Sequence, residues 1–63
     1  MSALAMVHNA LSVTVGRTAS EVCHALPLPL STVGATLRDL LVYGAARNES
    51  DGTGRILWFK VTT

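Results

Sequence analysis

The chain has 63 residues, 49% apolar, 14% charged and 5% aromatic, with a formal net charge of +1, which describes one domain over 1–63 and excludes most enzymes for want of length to build a pocket. A lone Cys23 forbids an internal disulfide and makes a reducing cytoplasm the expected setting. A core this small supplies rarely more than about 3–5 kcal/mol, and the positive mean hydropathy makes self-association the expected outlet for surplus apolar surface.

Ser2 to Leu11 predicts a first helix, with Leu4, Val7 and Leu11 on one stripe and Ala3, Ala5, Met6 and Ala10 on the other faces. An element so apolar all round is expected to bury a second side against another copy of the chain, through Leu4, Met6 and Val7. The first sixteen residues hold no Lys, Arg, Asp or Glu; they lack the basic start of a secretory signal and read as mature structure. No run approaches the roughly 18–20 apolar residues of a membrane span, and no basic polar face suits a lipid surface, so a membrane partner is not expected.

Ser12 to Val15 alternates polar and β-branched residues up to Gly16 and predicts a short strand or extended connector. Thr18-Ala-Ser-Glu21 has capping-box spacing, so a second helix starts there, carries Ala19, Val22, Cys23 and Leu26 inward and stops before Pro27. Pro27-Leu28-Pro29-Leu30 is a rigid corner; Pro29 suits the first turn of a third helix, with Ser31 as the alternative cap. That helix is predicted over about 30–43, with Val33, Leu37, Leu40 and Leu41 inward and Gly44 as its stop. Ala45 to Glu49, a turn over Ser50 to Gly54, and Arg55 to Val61 predict a hairpin. Lys60 prefers water, so Leu57, Phe59 and Val61 are expected on the core face, leaving Ile56 and Trp58 outward to meet a partner.

This α+β order, three helices and a C-terminal β-hairpin wing, resembles the winged helix-turn-helix regulators over Arg17 to Lys60. The capped Thr18-Ala-Ser-Glu-Val, the corner and helix Leu26-Pro-Leu-Pro-Leu-Ser-Thr-Val-Gly-Ala-Thr-Leu-Arg-Asp-Leu, and Leu40-Leu-Val-Tyr-Gly-Ala-Ala-Arg carry the similarity. Gly54-Arg-Ile-Leu-Trp-Phe-Lys resembles the closing wing strand of small pilus-operon transcription regulators. The resemblance implies a transcriptional regulator, cytoplasmic and nucleoid-associated if bacterial or phage, that binds double-stranded DNA with its third helix in the major groove and the 49–55 wing on the backbone. It also implies that Ser31, Thr32, Gly34, Ala35 and Arg38 face DNA. Gly34 and Ala35 stand where many relatives carry longer polar side chains, which leaves DNA shape to supply specificity.

Arg17, Arg47 and Arg55 add candidate phosphate or minor-groove contacts, the first ahead of the second helix and the other two flanking the wing turn. With so little net charge, a homodimer or higher oligomer is expected to be needed for useful occupancy, its interface formed by Leu4, Met6, Val7 and Trp58. The rival expectation is a winged-helix module that binds protein through the first helix and the outer face of the last strand. Cys23 and His24 are neighbours, about 100° apart on a helix, and even with His8 they complete no metal set, so no cofactor is expected. No paired acid, nucleophile with base, or phosphate loop points to catalysis.

Overall fold

Glu21 N–H donates to Thr18 Oγ1 (3.2 Å) and Thr18 N–H to Glu21 Oε1 (3.0 Å), so the second helix begins on the reciprocal cap its sequence predicts. The computed structural model describes residues 2–62. Their elements are α1 (Ala3–Ala10), α2 (Ala19–His24), α3 (Leu30–Val42), β1 (Ala46–Ser50) and β2 (Ile56–Lys60), the strands forming an antiparallel hairpin. Ser2 caps α1 by accepting from Ala5 N–H at 3.2 Å. Gly44, at φ +76°, ends α3: its N–H donates to Leu41 O and Ala45 N–H to Leu40 O, which satisfies carbonyls the helix leaves open.

Val7, Leu11, Val22, Val33, Leu37, Leu40 and Ala46 form the core, with Ala10, Ala19, Cys23, Leu26, Leu28, Ala45 and Trp58 packed around it. One face of α3 therefore holds the domain together, because α1 and α2 both pack on it. Thr36 belongs to that face: its hydroxyl donates to Thr32 O at 2.7 Å, which removes the cost of burying it.

Several expectations are corrected. Ser12 to Val15 is no strand; Ser12 Oγ accepts from Thr14 and Val15 N–H and bends the chain. Extended pairing falls instead on Arg17, which bridges Trp58 through Trp58 N–H to Arg17 O (2.7 Å) and Arg17 N–H to Trp58 O (3.2 Å). Pro29 is the N-cap of α3 rather than its first residue, and neither it nor Ser31 supplies a side-chain cap. Leu41 is 42% exposed; Thr36 takes the inward place assigned to it. The parity of β2 holds only in part: Phe59 is buried and Ile56 is 45% exposed, as expected, but Trp58 is not outward. Trp58 packs against the main core, whereas Phe59 is buried on the opposite face of the hairpin, beside Gly16 and under the Arg47 guanidinium, 4.1 Å from the ring centroid.

The cap makes a prediction about acid. Hydrogen bonds from the Thr18 backbone, then from its side chain, hold the Glu21 carboxyl below its ordinary 4.5. The folded chain then binds that proton less tightly than the unfolded one, so this contribution is full above 4.5 and is lost as pH falls through and below that value. Glu21→Gln is expected to flatten the acid limb of Tm against pH; an unchanged limb would show that the cap does not titrate with folding.

Candidate nucleic-acid interface

Anchoring one face of α3 leaves the other outward. Ser31, Ala35 and Arg38 are exposed, and Thr32 and Gly34 are half-buried. These five candidates share the first two and a half turns of a helix that starts at a tight corner, as the wheel of their positions requires. A Cβ built on Gly34 meets nothing within 4 Å outside its own helix, so neither turn geometry nor a packed neighbour requires glycine there. Arg38 makes no hydrogen bond or ion pair among the described residues.

The other arginines are differently placed. Arg17 Nη1 donates to Ala10 O at 3.0 Å, fastening the connector to the last turn of α1, so its guanidinium serves the fold. Arg47 pairs with Glu49 while lying on Phe59. Arg55 reaches Glu21 (3.6 Å) and Asp51 (3.7 Å), tying the wing to α2. Both wing arginines remain about half exposed; exposed pairs of this kind are worth about 0–1 kcal/mol, so a phosphate can replace either carboxylate.

The turn between the strands is ordered by its own side chains. Asp51 accepts from Thr53 Oγ1 (2.6 Å), Thr53 N–H (2.8 Å) and Arg55 N–H (3.3 Å), and the Thr53 hydroxyl, then its amide, hold the Asp51 carboxyl below its ordinary value. The wing is thus a shaped loop carrying Arg55.

The surface expected to join two copies through α1 is largely withdrawn. Val7 is fully buried in its own core, so it is not free to pair, and Trp58 packs half-buried against the same core. Leu4 is 39% exposed, and Met6 is half-buried beside a shallow groove completed by Asn9, Ala10, Ala25 and Leu26. Larger apolar exposure lies where it was not foreseen, at Val42 (82%) and Tyr43 (72%), where α3 ends. Val42 lies opposite Val33 on the helical wheel, so the 3.6-residue period already sets it away from the core.

Among the described residues no group of three or more His, Cys, Asp or Glu side chains could hold a metal, and no helix is long and apolar enough to cross a membrane. Cys23 Sγ donates to Leu28 O at 3.3 Å, inside the α2–α3 corner. Compared with protein-family models, curated proteins and solved structures, the chain finds no match.

Proposed function

We propose that this chain is a duplex-DNA-binding regulator of the winged helix-turn-helix type, with α3 in the major groove and the 51–55 turn along the adjacent backbone. One observation carries the proposal: α3 offers a helix face on which Ser31, Ala35 and Arg38, its side chain unpaired among the described residues, are exposed and Thr32 and Gly34 lie half-buried at the margins, while its opposite face is locked into the core. A helix held in this way can enter a groove about 12 Å wide. The Arg17 bridge supports the type, because it sets an extended residue between α1 and α2 against β2, as the wing of such domains requires.

Gly34 supports it further. A mid-helix glycine costs about 1 kcal/mol relative to alanine, and nothing packed against it compensates. The cost makes sense where a nucleic acid backbone or base edge comes close to the helix. Arg38, four residues on, lies one turn along the same face and is the group to engage guanine or phosphate.

Two variants test this by fluorescence anisotropy with a duplex that the wild-type protein selects from a random pool. Arg38→Ala is expected to weaken binding by about 5- to 150-fold, the 1–3 kcal/mol of a good arginine–base contact, with Tm unchanged. Gly34→Ala is expected to raise stability by about 0.5–1 kcal/mol while weakening DNA binding. Stabilisation with undiminished affinity would remove the close approach at Gly34, and an Arg38→Ala protein that binds as well as wild type would remove α3 from the interface.

A further inference from the structure

The outer edge of β1 has no partner among the described residues. β2 lies on one side, and the far side of β2 is closed by Arg17 and by Lys60 N–H donating to Ser12 O at 2.8 Å. Two bonds in one register bracket the ladder, Val61 N–H to Ala45 O and Asp51 N–H to Arg55 O, and they fix its phase. Arg47 and Glu49 turn their main-chain groups toward β2; Ala46, Asn48 and Ser50 turn theirs outward. These outward groups hold no hydrogen bond among the described residues; Asn48 and Ser50 are exposed, whereas Ala46 is buried in the core.

We propose that β1 pairs with β1 of a second copy, antiparallel about a two-fold axis through Asn48, joining the two hairpins into one four-stranded sheet. Asn48 then faces Asn48 and exchanges two main-chain bonds with it, while Ser50 comes opposite Ala46, which is 3% exposed and has to be uncovered before the flanking bonds form. Arg47 and Glu49 of one copy stand opposite Glu49 and Arg47 of the other, in the non-hydrogen-bonded positions where cross-strand side chains come closest. The four charges alternate in sign, both along each strand and across the axis.

Charge complementarity selects this occupant and this register. A shift of one hydrogen-bonding step in one direction puts Arg47 opposite Arg47; a shift in the other brings Arg47 opposite Asp51 but sets the two Glu49 carboxylates against each other, so only the register centred on Asn48 has no like pair. Charged residues on an edge strand ordinarily block pairing, but Ala-Arg-Asn-Glu-Ser reads as its own complement when reversed about its centre. Arg47, Glu49, Phe59 and Leu57 lie on the hairpin face away from the main core, so no helix of the domain stands between the facing charges. Pairing does not depend on nucleic acid, and its test is run without any, so its failure and that of the DNA-binding proposal are separable.

Sedimentation equilibrium of the full chain, up to about 1 mM, is the test. Wild type is expected to associate reversibly to a dimer. Arg47→Glu and Glu49→Arg are each expected to weaken association by about tenfold or more. An equimolar mixture of the two is expected to recover it, because a chain with two acids faces a chain with two arginines. Asn48→Pro is expected to abolish association and keep the hairpin, since the N–H it removes points away from β2. Glu49→Arg and Asn48→Pro leave Arg47 on Phe59, so these two decide the matter if Arg47→Glu does not fold. A monomer at every concentration, a mixture no tighter than its components, or a dimer that survives Asn48→Pro and is lost in Leu4→Asp would overturn the proposal.

Discussion

Leu37→Ala is expected to leave much of the chain unfolded at 25 °C. Leu37 is fully buried on the face of α3 against which α1 and α2 pack, and truncating such a leucine costs about 2–5 kcal/mol through lost burial and the cavity left behind. A domain of this size, with one cysteine and so no internal disulfide, holds rarely more than about 3–5 kcal/mol in total. The same substitution four residues later supplies the control. Leu41 is 42% exposed, so Leu41→Ala is expected to cost under about 1 kcal/mol. Urea denaturation followed by circular dichroism compares the two directly. Equal losses would mean that α3 is rotated about its axis from the orientation described, and the outward face would change with it.

Gly16→Ala is expected to be the next most damaging change, by about 1–3 kcal/mol of overpacking. Its φ is not positive, so the cause is space rather than backbone strain. The added Cβ would stand 2.6 Å from Phe59 Cζ and 2.9 Å from Leu57 Cβ. Neither is the loose end of a flexible chain: Leu57 Cβ is fixed by the strand, and the Phe59 ring is buried and carries the Arg47 guanidinium. Shortening the ring should relieve part of the clash, so Gly16→Ala is expected to cost less in a Phe59→Leu background than alone. A double-mutant cycle by urea denaturation measures this coupling. Strict additivity would show that Gly16 does not seat the ring.

Much of the helical frame is legible because its signals are local. Thr18 and Glu21 are three residues apart, Gly44 directly follows the last turn, and each feature closes bonds within its own neighbourhood. The outward residues of α3 follow from helical periodicity once its inward set is given. The parity of β2 resists such treatment because both faces of the hairpin carry apolar residues, and the choice is made by distant segments. The connector crosses one face and places Gly16 against Phe59, while the helical core receives Trp58 on the other. Weighing Lys60 by its preference for water finds the buried Phe59 but misses Trp58, which shares the lysine's face and still meets the helical core, since a lysine at the end of a short strand can reach solvent from either face.

The arginines divide for the same reason. Sequence marks Arg17, Arg38, Arg47 and Arg55 alike as candidate DNA contacts, but only the fold brings the Ala10 carbonyl to Arg17 or carries Glu21 to Arg55. What remains is a sparse basic surface, with Arg38 unpaired and two wing arginines held by exposed carboxylates. Sparse charge means weak neutralisation per copy, so two copies on one duplex would gain through avidity what a single copy lacks.

Anisotropy titrations of folded wild-type protein against duplex DNA over a series of salt concentrations decide whether α3 and the wing bind phosphate. Binding is expected at low salt and weakens linearly in log affinity against log salt, with a slope of about −2 to −3 per copy, as Arg38 and the two wing arginines release counterions from the phosphates they meet. Protein shown to be folded that does not bind at the lowest salt, or that binds with an affinity indifferent to salt, would contradict this expectation.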